Sequence, residues 1–241
     1  MRGGTLAAVV RRSTFVTDTQ LRFVAMVVEK NRVDESKFNG QATLPFELRL
    51  VDFRLAMQDV YNFFFDANSN LAAKGLQRLE DTLRPAIMSG VLTEILTASL
   101  AKHSRALTAN RYVKGHPDLV VKGAYPGNSV KAGEHGVEIK AARKFGGAVD
   151  SHGARFQWMC LFVYDVDDKS EPESRRRPLS FQEVYLGKVT TNGFHTNPQG
   201  KLGSRTATRY AQRIAKLRRN WLYRVRFQFA CRSVRVAPVA A

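Results

Sequence analysis

The first hundred positions are dominated by apolar residues at the three- and four-residue spacing of amphipathic helices. We expect four helices there, with a polar loop at residues 31–41 after the first of them. The first helix follows a capping box formed by Thr17 and Gln20. The other three are predicted to span about 45–65, 71–83 and 86–103. Residues 1–105 are therefore predicted to be mostly helical.

The hydrophobic pattern changes near Arg111. Short β-prone runs, separated by glycine-containing stretches, occur at 112–113, 119–121, 137–139, 159–164 and 184–191. The run at 159–164 is apolar throughout, which is typical of a buried central strand. Polar or glycine-rich loops are predicted at 167–178 and 192–204. Alternation over 224–232 predicts a half-buried final strand.

The 241 residues are predicted to form one domain, because the chain shows neither an internal repeat nor a clear linker. A sheet core, with a basic C-terminal helix and strand, is expected over residues 106–241. No run of eighteen apolar residues occurs, so we expect no membrane-spanning helix. Cys160 and Cys231 are too few for a disulfide framework or a four-cysteine zinc site. Both are interpreted as buried reduced thiols, which favours a cytoplasmic location.

Basic residues are concentrated in the second part of the chain, and the formal net charge is +17. Residues 1–100 carry 12 basic and 11 acidic side chains, whereas residues 101–241 carry 26 and 10. After Glu183, twelve lysines and arginines follow without another acid. This asymmetry favours a polyanionic partner, with nucleic acid as the first candidate and an anionic membrane surface as the second.

The clearest chemical pattern is a pair of β-prone segments that carry acids. They are His116-Pro117-Asp118-Leu119-Val120-Val121 and Gly136-Val137-Glu138-Ile139-Lys140. Glu138 and Lys140 occupy alternate strand positions and therefore project from the same face. The stretch 122–135 would join the two strands as antiparallel neighbours, which brings Asp118 close to Glu138. The alternative is that Glu138 and Lys140 form an exposed surface pair and that Pro117 and Asp118 form a turn.

Two carboxylates without soft ligands suit Mg²⁺, with Mn²⁺ as a substitute. Such an ion holds a phosphate oxygen and helps to deprotonate a water molecule. The ammonium group of Lys140 beside it would orient the attacking water and stabilise charge that develops in the transition state. Asp118, Glu138 and Lys140 are therefore the predicted catalytic residues of a phosphodiester hydrolase.

This pattern resembles the PD-(D/E)XK nuclease superfamily, whose best-known members are type II restriction endonucleases. The matching residues are Pro117-Asp118 and, twenty residues after the aspartate, Glu138-Ile139-Lys140. The resemblance covers roughly residues 86–190. It implies an α/β fold with a mixed central β-sheet flanked by helices, to which the N-terminal helices would add a layer. It also implies that Asp118 and Glu138 bind Mg²⁺ and that Lys140 serves the attacking water.

Some members of the superfamily carry a further acidic metal ligand on the helix before the aspartate strand. Glu94 matches that place, and Glu80 is the weaker candidate. Gln157 resembles a glutamine that supports the site in some members, although the tyrosine that those members carry four residues later is Leu161 here. His116 and His135 flank the two acids, and we interpret them as neutral bystanders because a metal mechanism requires no histidine base.

The C-terminal part supplies the predicted contacts to DNA. Ser204 is expected to cap a strongly basic helix that ends near Asn220. Its apolar face would pack on the sheet, and its basic face would follow a phosphate backbone or enter the major groove. Together with polar side chains from the segments 143–157 and 192–201, the predicted DNA-binding residues are Arg143, Lys144, Arg155, His195, Asn197, Lys201, Arg205, Arg209, Arg213 and Lys216.

Taken together, these features favour a Mg²⁺-dependent endonuclease, with a type II restriction enzyme that cuts double-stranded DNA as the first choice. Cutting both strands at one site favours a homodimer. The expected location is the cytoplasm of a bacterium or archaeon, at the nucleoid. The alternatives are a repair, junction-resolving or transposon nuclease of the same superfamily, and a non-catalytic sequence-specific DNA-binding protein. An RNA-binding protein is disfavoured because no RNP-type motif occurs.

Overall fold

The structure is a computed structural model, and it describes residues 28–143, 149–151, 156–190, 195–196, 207–209 and 217–225. Among these residues the α-helices are α1 (Leu50–Ala73), α2 (Leu79–Thr82) and α3 (Pro85–His103). Short 3₁₀ turns occur at Glu35–Lys37, Pro126–Asn128 and Glu173–Arg175. The predicted helix that begins after Thr17 lies outside the described residues.

The strands follow the helices along the chain. They are β1 (Leu107–Ala109), β2 (Leu119–Val121), β3 (Gly136–Ala142), β4 (Val149–Ser151), β5 (Gln157–Asp165), β6 (Ser180–Val189), β7 (His195–Thr196), β8 (Ala207–Arg209) and β9 (Trp221–Arg224). Within the described ranges, six of them form one sheet in the order β1-β2-β3-β5-β6-β9. In this sheet β3 and β5 run parallel, and the other neighbours run antiparallel. The predicted α/β fold, with a mixed sheet and a helical layer that precedes it, is confirmed.

The second predicted helix begins later in the structure than the sequence predicts. It was predicted from about residue 45, yet α1 begins at Leu50, because Phe46 and Glu47 have φ angles of 54° and 53° that an α-helix cannot contain. Asp52 then caps the helix: its Oδ2 accepts the backbone N–H of Arg49 at 2.8 Å. The entry of the chain into α1 is therefore set by local backbone geometry and one capping carboxylate.

The polar stretch 66–70 predicts a break, but α1 continues through it to Ala73. Asn68 explains the continuation, because its side chain is buried and has partners in α2. It accepts the backbone N–H of Leu79 at 2.8 Å and donates to Glu80 Oε2 at 2.7 Å. The predicted helix over 71–83 is accordingly reduced to the single turn of α2. The helix predicted over 86–103 is confirmed as α3.

One predicted strand is wrong and one predicted helix is wrong in part, and strand pairing accounts for both differences. The strand predicted at 112–113 is an exposed loop, and Leu107–Ala109 pairs with β2 instead. The basic helix predicted from Ser204 to about Asn220 is wrong at Ala207–Arg209, which form β8 and pair with β4 and β7 in a second, smaller sheet. Leu217 and Arg218, near its predicted end, are helical. Strand pairing thus outweighs a local helical pattern over Ala207–Arg209. The strands predicted at 119–121, 137–139, 159–164 and 184–191 are confirmed as β2, β3, β5 and β6.

The two faces of the six-stranded sheet carry different cores. On one face, Ile139 and Phe162 pack in the same buried cluster as Phe53 of α1 and Leu92 of α3, and Cys160 is a buried free thiol there, as predicted. Cys231 lies outside the described residues. The other face carries a smaller apolar cluster of Met159, Leu161, Val163, Tyr185, Val189 and Leu217. The burial of Leu217 confirms that the segment before β9 packs on the sheet.

The predicted polar loop at 31–41 runs along the outer edge of β9. The backbone N–H of Asn39 donates to Leu222 O at 2.9 Å, and its side chain donates to Trp221 O at 3.0 Å. Phe38 forms an isolated antiparallel bridge with Tyr223. The loop therefore covers strand-edge groups that would otherwise be exposed.

Candidate metal centre on the β2–β3 hairpin

The β2–β3 hairpin places Asp118 beside Glu138. Leu119 pairs with Val137 in antiparallel register, and continuing that register by one step sets Asp118 opposite Glu138. The backbone N–H of Ile139 donates to Asp118 Oδ2 at 2.8 Å, which fixes the orientation of the carboxylate. The predicted antiparallel pairing, and the proximity of the two acids that follows from it, are confirmed.

The loop between β2 and β3 is held in place by side-chain contacts. Tyr125 Oη accepts the backbone N–H groups of Glu134 and His135 at 2.9 and 3.0 Å. Gly136, the first residue of β3, allows the close approach of β2, because a Cβ atom at that position would collide with the carbonyl oxygen of Leu119. The separation of Asp118 and Glu138 is therefore set by a well-packed hairpin.

Four side chains converge at this point, and we call His116, Asp118, Glu138 and Lys140 the hairpin cluster. One ligand atom each from His116, Asp118 and Glu138 lie within 4.8 Å of one another. Lys140 Nζ donates to Glu138 Oε1 at 2.6 Å, and His116 Nδ1 lies 3.1 Å from Glu138 Oε2. The Glu138 side chain is 0% exposed. The alternative of an exposed surface pair is therefore wrong.

The electrostatics of the cluster favour a cation. Burial, followed by the negative charge of Glu138, raises the pKa of Asp118 to about 6. Burial also acts on Glu138, but the hydrogen bond with His116 and the positive charge of Lys140 outweigh it and leave the pKa of Glu138 below its ordinary value. A divalent cation would supply the positive charge that the two acids lack. The two carboxylates are suitable ligands for Mg²⁺ or Mn²⁺, and an imidazole nitrogen is a ligand that a transition metal such as Mn²⁺ accepts more readily than Mg²⁺ does.

The structure does not bring Glu94 to the hairpin cluster. Glu94 is exposed on α3, which turns Leu92 and Leu96 toward the core instead. Glu80 lies in α2, away from the hairpin, and is also not a member. Among the described residues, the third group that lies close enough to hold an ion with Asp118 and Glu138 is His116. A position on the preceding helix does not by itself determine which face of that helix meets the sheet.

His116 is the functional candidate that sequence reasoning undervalued. Its imidazole contacts Glu138, so the interpretation as a bystander does not fit the structure. Its backbone N–H donates to Lys131 O at 3.1 Å, and its carbonyl oxygen accepts the N–H of Gly133 at 2.9 Å. The available signal was its position two residues before Asp118, which keeps the imidazole close to that acid along the chain. His135 is exposed and is not a member of the cluster.

Gln157 opens β5 on the same face of the sheet as Glu138. Met159 pairs with Glu138, and Gln157 is two positions before Met159, so the three side chains share a side. The Gln157 side chain is 1% exposed, and neither of its amide atoms has a hydrogen-bond partner among the described residues. Its location is compatible with the supporting role that the resemblance implies, and that role stays a prediction.

The structure describes few of the predicted DNA-binding side chains. Arg143 donates to Val166 O at 2.9 Å and forms an ion pair with Asp168 at 2.7 Å. Arg209 ends β8 and His195 begins β7, so Arg209 is not on a helical basic face as predicted. The other predicted contacts lie outside the described residues: Lys144, Arg155, Asn197, Lys201, Arg205, Arg213 and Lys216.

A second charged group lies on the same face of the sheet, at β6 and β9. Glu183 is buried, and its carboxylate lies 3.3 Å from Arg224 Nε and 3.8 Å from Arg218 Nη2. Both guanidinium groups lie over the ring of Tyr185, at 5.6 and 5.9 Å from its centroid. We call Glu183, Tyr185, Arg218 and Arg224 the arginine cluster. Its positive charges outnumber its single acid.

Comparisons of the chain with protein-family models, with curated proteins and with solved structures returned no match. Within the part of the chain that the structure describes, no helix is both long enough and apolar enough to cross a bilayer.

Proposed function

We propose that this chain is a Mg²⁺-dependent endonuclease that hydrolyses DNA phosphodiester bonds. Its best assignment is a type II restriction endonuclease of the PD-(D/E)XK kind, acting on double-stranded DNA as a homodimer in a bacterial or archaeal cytoplasm. The observation that carries the proposal is the hairpin cluster itself. Two acids and one imidazole converge within 4.8 Å, and an ammonium group hydrogen-bonds one of the acids.

The residues of the hairpin cluster divide into two roles. Asp118, Glu138 and His116 would hold the ion, with Mn²⁺ as a substitute for Mg²⁺. When bound, such an ion supplies positive charge to a phosphate oxygen and lowers the pKa of a water molecule. Lys140 carries three N–H donors on a side chain that Glu138 already orients. These donors would position the attacking water and stabilise negative charge on the phosphate as it develops.

The charge distribution supports DNA as the substrate. Residues 101–241 contain the hairpin cluster and carry 26 basic against 10 acidic side chains. Such an excess attracts a polyanion through its phosphates and releases counterions on binding. Two copies of one active site, related by two-fold symmetry, would reach the two antiparallel strands of a duplex in equivalent ways.

Plasmid digestion tests this function. The full-length protein should cut supercoiled plasmid into discrete fragments with Mg²⁺ or Mn²⁺, and EDTA should abolish the cutting. D118A and K140A should each slow cleavage by at least about 10²-fold while DNA binding persists, because each removes charge stabilisation from the reaction rather than affinity for the duplex. The matched control is K102A, since Lys102 is an exposed lysine of α3 that pairs with Asp59.

The outcomes separate the alternatives. Discrete metal-dependent fragments support a restriction enzyme, and cutting confined to branched DNA supports a junction-resolving or repair nuclease. DNA that is bound but remains intact with every metal supports a non-catalytic DNA-binding protein and overturns the enzymatic assignment. Wild-type rates in D118A or K140A would remove the hairpin cluster from the chemistry.

A further inference from the structure

The loop between β1 and β2, residues 110–118, has a fixed shape. The Asn110 side chain donates to Pro117 O at 3.0 Å and Val130 O at 2.8 Å, and it accepts the N–H groups of Tyr112 and Val130 at 3.0 and 3.1 Å. Gly115 packs so closely that a Cβ atom there would collide with Val130 O. The amide side chain of Asn110 thus forms hydrogen bonds within this loop and also joins it to the loop between β2 and β3.

This rigid loop holds apolar side chains out in solvent. Val113 is 82% exposed, the highest value for any large hydrophobic side chain among the described residues, and Tyr112 is 42% exposed. Lys114, the next residue, has a φ angle of 60°, a left-handed conformation that is unfavourable for a lysine. A rigid loop that holds Tyr112 and Val113 side by side in solvent, with a strained residue next to them, is an arrangement expected where an exposed tip contacts a partner.

The surroundings of the tip indicate what that partner is. Arg111 and Lys114 flank the tip along the chain, and both are exposed. The loop joined to it adds the exposed cation Lys131 and the exposed acid Glu134. The loop leads directly into His116, whose imidazole contacts Glu138. An apolar tip between cations, beside a cluster suited to a phosphodiester, matches a nucleic acid better than it matches a protein or a lipid surface.

We propose that Tyr112 and Val113 form a wedge that enters the stacked bases beside the scissile phosphate, while Arg111 and Lys114 contact the flanking phosphates. The inference rests on the proposed function and adds to it how the substrate is held. The free-energy cost of unstacking a base step is offset by the apolar contact and the phosphate contacts that the opened step permits. Pyrimidine–purine steps such as TA open most easily, so the wedge favours such a step next to the cut.

The test uses 2-aminopurine, whose fluorescence rises when it is unstacked. Duplexes are built around a cleavage site mapped by plasmid digestion, with the probe placed in turn at each position near the cut, and Ca²⁺ replaces Mg²⁺ to prevent cutting. Wild-type protein should raise the fluorescence several-fold at one step beside the scissile phosphate. V113S and Y112S should lose most of that rise while DNA affinity, measured by anisotropy, changes little. I87S is the matched control, because Ile87 is an exposed apolar residue of α3.

The results distinguish this inference from the function on which it rests. If the wild-type protein cuts DNA but raises no 2-aminopurine signal, or if V113S and Y112S keep the full signal, the wedge is wrong and the nuclease stands. If the wild-type protein neither binds nor cuts DNA, the proposed function fails and the wedge fails with it. Loss of the signal in I87S as well would show a general effect on folding and would also overturn the wedge.

Discussion

The hairpin cluster and the arginine cluster lie on the same face of one sheet, yet their charges are balanced in opposite ways. Both contain a buried carboxylate, Glu138 in the first and Glu183 in the second. Glu138 has Asp118 as a like-charged neighbour, whereas Glu183 lies between two guanidinium groups. The first cluster has two acids against one ammonium group, whereas the second has two guanidinium groups against one acid.

Under the proposed function, this difference separates a structural acid, Glu183, from a functional one, Glu138. Removing a buried acid that lies between cationic partners destabilises the fold, because it leaves those partly buried charges uncompensated. A buried pair of acids that repel each other destabilises the fold, and such an arrangement is expected where a ligand supplies the missing charge. Substitutions at the two clusters should therefore change stability in opposite directions.

Replacing Glu183 should have the largest effect. E183Q leaves Arg218 and Arg224 without their buried carboxylate and should lower the free energy of unfolding by about 2–3 kcal/mol. Urea denaturation of the full-length protein measures the change. The matched control is E173Q, an exposed acid that pairs with Arg176, and it should leave the midpoint unchanged. If E183Q is as stable as E173Q, the distinction between the two clusters is wrong.

Replacing His116 should have the next largest effect. The affinity for metal should fall, whereas the stability of the fold should change little. H116A removes one of the three groups that converge on the candidate centre and should weaken Mn²⁺ binding about 10–100-fold, which corresponds to about 1.4–2.7 kcal/mol. An electron paramagnetic resonance titration, which detects free Mn²⁺, measures this affinity directly. H135A is the control, because His135 is exposed and outside the cluster. Equal affinities in the two variants would exclude His116 as a ligand.

Replacing Asp118 should have the smallest effect and the opposite sign. The pKa of Asp118 is raised from 3.8 to about 6 in the folded protein, so its ionised form destabilises the metal-free fold above about pH 6. D118N removes that charge and still accepts the N–H of Ile139. It should therefore stabilise the metal-free protein at pH 8 by about 1–2 kcal/mol. The gain is smaller than the pKa shift alone implies, because the buried asparagine amide also carries a desolvation cost.

Thermal unfolding in EDTA measures this gain as a rise in Tm of about 2–4 °C per kcal/mol. Below pH 6 the folded wild-type protein takes up the proton, so the advantage of D118N should shrink between pH 6 and pH 4. D66N, at an exposed aspartate of α1, is the control and should show no such pH dependence. A D118N protein less stable than the wild type at pH 8 would contradict the repulsion between the two acids.

The predictions from sequence were confirmed where the local pattern of a segment is enough to determine its secondary structure. The apolar run at 159–164 is the centre of β5, and α3 begins at Pro85, one residue before its predicted start. They were wrong where contacts with a segment distant in the chain determine the secondary structure. Asn68 extends α1 because α2 supplies hydrogen-bond partners, and Ala207–Arg209 form a strand because β4 and β7 lie beside them.

The sequence by itself determined that Glu138 and Lys140 share a face, because alternation along a strand is a local property of the backbone. It also determined the excess of positive charge, which needs no coordinates. Only the tertiary structure decided that His116 joins Asp118 and Glu138 while Glu94 stays in solvent, and that Glu183 lies between Arg218 and Arg224. These contacts depend on strand register and on the rotation of a helix about its axis, which are set by packing between segments distant in the chain.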